Sequence, residues 1–274
     1  MPRINNKKDK RRPLQVSSIQ EATSSTQNGD ISLDLPDLAT TDIPFVSVIT
    51  ITKNRRNMFS MPVFNWMRTV YPENRIEWVI LDDGDEDLSN LFPIDDLRRI
   101  RYIRCEKMDI GEKRNKAVEL AKHEYIVHMD DDDYYFPHSV LARIRVMLHY
   151  NKQCVYSHNL GVYDILSGTS AVMERYTDVP ELTLAYTKTF WESRKFGKSP
   201  YESYNLVRKR EKDMVKLPFI FNCIACTHKS NYSQRLKSIN VSSCYPTSSP
   251  VDELFEPDFK NVLQGVVHRL KATQ

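Results

Sequence analysis

No stretch of about 18 consecutive apolar residues occurs in the chain, so nothing in it reads as a membrane span. The polar N-terminus lacks the apolar core of a secretory signal. A cysteine framework is missing too. Cys105, Cys154, Cys223, Cys226 and Cys244 form an odd set, which argues for free thiols in a reducing, cytoplasmic setting. Cys223 and Cys226 have CxxC spacing, but no second pair accompanies them, and burial in the apolar run 218–225 accounts for them better than zinc. Nor is there a large charge surplus. A net charge of +3 points to neither nucleic acid nor membrane as a partner. Much of it lies in Arg3, Lys7, Lys8, Lys10, Arg11 and Arg12, and the remaining body is slightly acidic.

What is present suits a globular protein: 274 residues, 41% hydrophobic and 27% charged, enough to bury a sizeable core. Residues 1–42, polar with few large apolar groups, are expected to be a disordered tail. A catalytic domain is expected over 43–235, with a nucleotide-binding half at 43–135 and an acceptor half at 136–235. An extension with an amphipathic helix is expected over 236–274.

The chain is organised around one strand, Tyr125 to Met129, which ends in four carboxylates, Asp130 to Asp133. Like charges this close resist ionising together, and a divalent cation is the usual relief. Hard oxygen ligands favour Mg²⁺, Mn²⁺ or Ca²⁺. Pro137 and an amphipathic helix over 137–150 follow, so the row sits where a strand hands over to a helix, the place where open α/β sheets bind ligands.

Other elements fall around it. Strands are predicted over 45–52, 76–81 and 100–104, and helices around Met58–Met67 and from Gly111 through Lys122. That alternation predicts a mainly parallel sheet with helices on both faces. Thr52, Asp82-Asp83 and Asp130–Asp133 would then meet on one sheet edge. Further on, strands are predicted over 153–162, 182–190 and 218–227, a helix start over 202–210, and a last helix over 258–271 with Phe259, Val262, Leu263, Val266, Val267 and Leu270 on one stripe. His128 is expected to be a core or interstrand group. His123, His138, His149 and His158 share no metal-ligand spacing. Trp66, Trp78 and Trp191 are expected in the core or lining a groove.

Four blocks, Val46–Arg55, Val79–Gly84, Gly111–Asn115 and Tyr125–Asp133, resemble the ordered blocks of GT-A glycosyltransferases of family 2 type. The resemblance implies an α/β fold of the GT-A (nucleotide-diphospho-sugar transferase) class, with a smaller mixed sheet on the acceptor side. It implies a metal-dependent, inverting glycosyltransferase that uses a nucleotide-sugar donor, a UDP-sugar, with Mn²⁺ or Mg²⁺. By the same resemblance Thr52 and Asn54 line the nucleotide pocket and Asp83 accepts from the base imide. Lys113 or Arg114 contacts base or diphosphate. Asp130 to Asp132 form the DxD motif, with Asp130 and Asp131 near the ribose and Asp132 on the metal. His228, opening the block 228–235, completes the metal or diphosphate site. Glu202 is the best match for the inverting base, with Glu192 and Glu181 as rivals. The chain departs from the family at Ile51-Thr-Lys53, often Pro-Thr-Tyr, and at Tyr201, where a Gly is usual. The acceptor, whether glycan, protein or lipid, is not implied. Two alternatives stand beside this reading. One is a sugar-phosphate nucleotidyltransferase, against which the glycine-free Lys53–Arg56 loop counts. The other is an inactive nucleotide- or sugar-binding module.

Overall fold

A computed structural model describes residues 20–27, 30–173, 179–198, 202–228 and 251–272 of the chain. In order, the elements are β1 Gln20–Glu21, β2 Ser24–Gln27, β3 Asp30–Leu33, β4 Val46–Thr52, α1 Ser60–Arg68, β5 Ile76–Asp82, β6 Ile100–Arg104, α2 Ile110–Leu120, β7 Tyr125–His128, β8 Tyr134–Tyr135, α3 Ser139–His149, β9 Cys154–Ser157, β10 Leu160–Asp164, β11 Ser170–Met173, β12 Ala185–Thr187, α4 Lys188–Ser193, α5 Glu202–Val207, β13 Met214–Leu217, β14 Cys223–Thr227 and α6 Pro257–Ala272.

Eight strands form the main sheet in the order β1-β13-β9-β12-β7-β4-β5-β6. Only β12 runs antiparallel to its neighbours. Every residue of β4 and β5 is buried, as expected of parallel strands covered on both faces. Val46 and Val48 pack with Trp66, Trp78 and Ile144, while Ile49 and Ile51 pack with Ala117 and Val118 of α2. The strand period of two thus feeds two cores from one segment. A second sheet, β11-β10-β14-β8, packs with α6. Phe259, Leu263 and Val266 are the buried side of that helix's predicted stripe, beside Tyr134 and Ile224.

Structure begins before Ile43. Gln20 and Glu21 pair with Val215 and Lys216 at the edge of the main sheet, and β2 pairs with β3. Residues 1–19 and 229–250, including the rest of the block that His228 opens, lie outside the described part. The two expected halves share both sheets. β8, from the first half, joins the small sheet, and β9, β12 and β13, from the second, extend the large one.

Three predicted strands of the second half are corrected. The run 153–162 splits after Ser157, with β9 in the large sheet and β10 in the small one. The run 182–190 becomes a short turn, the three-residue β12 and then α4. Thr187 causes that switch, because its hydroxyl accepts the Phe190 N–H at 3.1 Å and caps a helix. In 218–227 the first residues form a 3₁₀ turn after Pro218, and only Cys223–Thr227 is strand. Cys223 and Cys226 lie in different core clusters. Side chains three apart on a strand point to opposite faces, so the two cannot ligate one metal. Cys105, Cys154, Cys223 and Cys226 are free thiols, and Cys244 is outside the described residues.

Candidate active site

Three parallel strands deliver the site. Thr52 pairs with Asp82 across β4 and β5, and Ile49 pairs with His128 across β4 and β7. The carboxyl ends of β5, β4 and β7 therefore lie side by side, as the strand pattern predicts. The exit of β7 is fixed by buried bonds. Thr50 Oγ1 donates to Met129 O at 2.6 Å and accepts from Trp78 Nε1 at 2.8 Å. Arg143, fully buried in α3, donates to His128 O at 2.9 Å. The Asp130 N–H donates to Tyr135 Oη, which donates in turn to Leu182 O, both at 2.9 Å.

At the β5 end, Asp82 serves the loop. It accepts from Gly84 N at 2.8 Å and from Tyr102 Oη at 2.6 Å. Asp83 is buried and ion-paired with Lys113 Nζ, which also donates to Thr52 O at 3.1 Å. Lys113 comes from α2, whose first turn is capped by Asp109, accepting from Gly111 N at 2.9 Å. A Cβ on Gly111 would stand 1.8 Å from Gly197 O, so only glycine lets α2 approach that loop. Asn54 has φ +54°, the left-handed region that Asn tolerates. It exchanges two bonds with Asp85, at 2.7 Å and 3.1 Å, tying the loop after β4 to the loop after β5.

Arg114, also from α2, lies across the β7 end. It makes a two-pronged contact with Asp130 at 3.0 Å and 3.2 Å, and its Nε stands 3.7 Å from Glu202 Oε1. Burial lowers its proton affinity, but the charge and hydrogen bonds of Asp130, with Glu202 and Glu181 behind, raise it further. Arg114 Nη1 also meets His128 Nδ1 at 3.1 Å, and His128 Nε2 meets Tyr186 Oη at 2.9 Å. Arginine can only donate, so Nδ1 carries the lone pair and Nε2–H points at Tyr186. Burial, then Arg114 and Arg143, hold the His128 pKa well below its ordinary value. His128 is a buried core group, as its place in the strand suggests.

The four carboxylates part ways. Asp130 goes to Arg114. Asp131 is buried, and burial followed by the charge of Asp132 pushes its pKa up to about 7. Burial would raise Asp132 as well, but the His228 hydrogen bond and Arg55 outweigh it and lower the pKa. Asp133 is structural: its Oδ1 accepts from Cys226 N and its carbonyl from Asn65 Nδ2, each at 2.8 Å. Burial, then Asp132 and Asp130, raises its pKa well above the ordinary value.

His228, one residue past β14, brings Nε2 to 3.1 Å from Asp132 Oδ2. Among the described residues no group of three or more His, Cys, Asp or Glu is arranged to hold a metal; Asp132 and His228 are a pair. A part-buried carboxylate beside one imidazole, with Asp131 next to it, has the donor chemistry of a hard or borderline divalent cation site. The residues fit the expected group.

Among the candidate bases, Glu202 is the first residue of α5 and buried beside Arg114. Glu181 is also buried, and its Oε1 accepts from Ser203 N at 3.2 Å, supporting the start of the same helix. Glu192 is exposed on α4, which follows β12 at the end paired with Tyr125, the opposite end of β7 from Asp130. Trp66 and Trp78 stack at 5.3 Å in the core. Trp191 is buried and donates to Asn115 Oδ1 at 2.9 Å. Sequence reasoning passed over Arg55, whose guanidinium lies 3.6 Å from Asp132, and Asn65, which holds the Asp133–Tyr135 turn. Neither residue type nor spacing marks Arg55 off from Arg56 beside it.

Residues 47–213 match the family model described as glycosyl transferase family 2, and the chain belongs to that family. A curated relative, a putative teichuronic acid biosynthesis glycosyltransferase of Bacillus subtilis strain 168, is 25% identical over 143 residues, 50% of this chain and 54% of the relative. The chain thus spans about half the length of that relative. Among solved structures, S. aureus TarS 1–349 with UDP-GlcNAc gives a TM-score of 0.53 at 14% identity, covering 82% of this chain and 66% of that one. A mannosyltransferase from Pyrobaculum calidifontis with GDP-Man and Mn²⁺ gives 0.52 at 15% identity, covering 86% and 72%. These likenesses establish the GT-A fold. No helix among the described residues is long and apolar enough to cross a membrane.

Proposed function

We propose that the chain is a metal-dependent glycosyltransferase that moves a sugar from a nucleotide diphosphate of the UDP type onto a hydroxyl acceptor with inversion. One observation carries the reading. Asp132 and His228 stand 96 residues apart in sequence yet meet at 3.1 Å, at the strand ends that also carry Thr52 and Asp83. Family membership supports it, as do fold relatives solved with UDP-GlcNAc and with GDP-Man and Mn²⁺.

Each residue then has work that its chemistry suits. Asp83, held by Lys113, is a fixed acceptor for the imide N–H of a base. Thr52 and Asn54 form the neighbouring wall, and Asp130 and Asp131 face the ribose. Asp132 and His228 hold Mn²⁺ or Mg²⁺, which when bound supplies Lewis-acid neutralisation of the departing diphosphate. Glu202 removes the proton from the acceptor hydroxyl as it attacks from the opposite face of the sugar. Arg114 positions Glu202 and Asp130 together. The acceptor is a glycan, a protein or a lipid.

The test mixes purified chain with UDP-, GDP- and dTDP-sugars, in Mn²⁺ or EDTA, and counts released nucleotide for wild type and Asp132→Ala. Metal-dependent release from one donor is expected, reduced on the order of a thousandfold in the variant. Release indifferent to EDTA and to the substitution would overturn the reading. Tight metal-dependent UDP binding without turnover under any acceptor would leave a nucleotide-binding module instead.

A further inference from the structure

Two adjacent arginines leave the loop between β4 and α1 in different directions. Arg56 reaches the segment after β5, donating to Asp87 O at 2.7 Å and to Asn90 Oδ1 at 3.1 Å. Arg55 turns into the strand-end cluster. Its Nη2 is 3.6 Å from Asp132 Oδ2, and its Nη1 is 3.3 Å and 3.5 Å from the two ring nitrogens of His228. The two groups best suited to hold a divalent cation therefore already face a guanidinium. That contact is looser than the fork Arg114 makes with Asp130 at 3.0 Å and 3.2 Å, and longer than a charge-assisted hydrogen bond.

A guanidinium and a divalent cation repel at such range, so both cannot share one carboxylate–imidazole pair at low cost. Guanidinium is also well matched to phosphate oxygens. The loop backbone is braced from both ends. Arg269 of α6 donates from Nε to Asn57 O at 2.9 Å and from Nη2 to Ser60 Oγ at 2.8 Å, and Asn54 is tied to Asp85. A change of partner therefore falls to the Arg55 side chain.

We propose that Arg55 is both the resident counter-ion of the Asp132–His228 pair and a diphosphate-binding residue. Its guanidinium holds the pair until a nucleoside diphosphate arrives, then passes to the diphosphate oxygens and yields the pair to a divalent cation. Metal and donor consequently load together, each raising the affinity for the other by the same factor. The inference rests on the reading of Asp132 and His228 as the metal-holding pair.

The experiment is a Mn²⁺ titration of the whole chain, followed by the electron paramagnetic resonance signal of free Mn²⁺, with and without UDP. Wild type, Arg55→Met and Arg56→Met are compared. Wild type should bind Mn²⁺ weakly alone and more tightly with UDP. Arg55→Met should bind Mn²⁺ alone roughly tenfold more tightly or better, and the further gain from UDP should shrink by about the same factor relative to wild type; Arg56→Met should track wild type. Arg55→Gln makes the same test if the methionine variant does not fold. Wild type that needs UDP to bind Mn²⁺, alongside an Arg55 variant with no gain in UDP-free affinity, would overturn the role of Arg55 alone. Wild type that binds no Mn²⁺ in either state would overturn the metal reading itself.

Discussion

On the β5 side of Thr52, Lys113 is buried against Asp83 and bonded to the Thr52 carbonyl. On the β7 side, Arg55 approaches Asp132 only to 3.6 Å. Both cations lie at strand ends beside carboxylates, but they are carried differently. Lys113 projects from α2, a helix fixed by its packing on the sheet and by the close approach at Gly111. Arg55 projects from a loop. A cation on a packed helix becomes part of the fold, whereas one on a loop can exchange its partner.

The sharpest way to test that division is at Glu202, whose neighbour Arg114 is also borne by α2. Glu202→Gln keeps shape and removes the proposed base, so transfer should fall by about 10²- to 10⁴-fold, while UDP affinity with Mn²⁺, measured by calorimetry, stays near wild type. An unchanged transfer rate would remove Glu202 from the mechanism. Next is Lys113→Met, which strands a buried carboxylate. It should cost about 3–5 kcal/mol in urea unfolding, against a clearly smaller loss for Arg55→Met, whose contact with Asp132 is loose at 3.6 Å. Equal losses would erase the contrast between helix and loop. The smallest effect belongs to His128. Its folded pKa lies below the ordinary value, so the unfolded chain binds the extra proton first. Stability is full above about pH 6.5 and is lost as pH falls below it, by up to about 1.4 kcal/mol per pH unit. The urea midpoint at pH 7.5 and 5.5 measures this, and His128→Gln should flatten that part of the slope.

The same division governs how much could be read from the sequence. β4, β5 and β7 are buried parallel strands, and their largely apolar, β-branched runs ending in Thr52, Asp82 and the aspartate row placed one edge of the site in advance. The second half resisted because its apolar runs are shared among elements. Residues 182–190 look like one strand, yet Thr187 caps a helix in the middle of them. Residues 153–162 look like another, yet the chain changes sheets between Ser157 and Leu160. Met214–Leu217 was missed because Lys216 interrupts a four-residue run, and in the fold its ammonium lies 3.8 Å from Glu21 of β1. Arg55 could not be told from Arg56 at all: what separates them is the direction each side chain takes.

The brace that α6 places on the loop after β4 bears on where the working unit ends. The span shared with the family, 47–213, keeps every strand-end aspartate. It stops short of β14, His228 and Arg269, which supply the imidazole facing Asp132 and the strut behind Arg55. Trimming the chain to that portion would leave Asp132 facing Arg55 without the His228 imidazole, Asp133 without the Cys226 N–H, and the loop after β4 without the Arg269 brace. The span that the family model matches is therefore smaller than the unit that packs around the strand-end carboxylates.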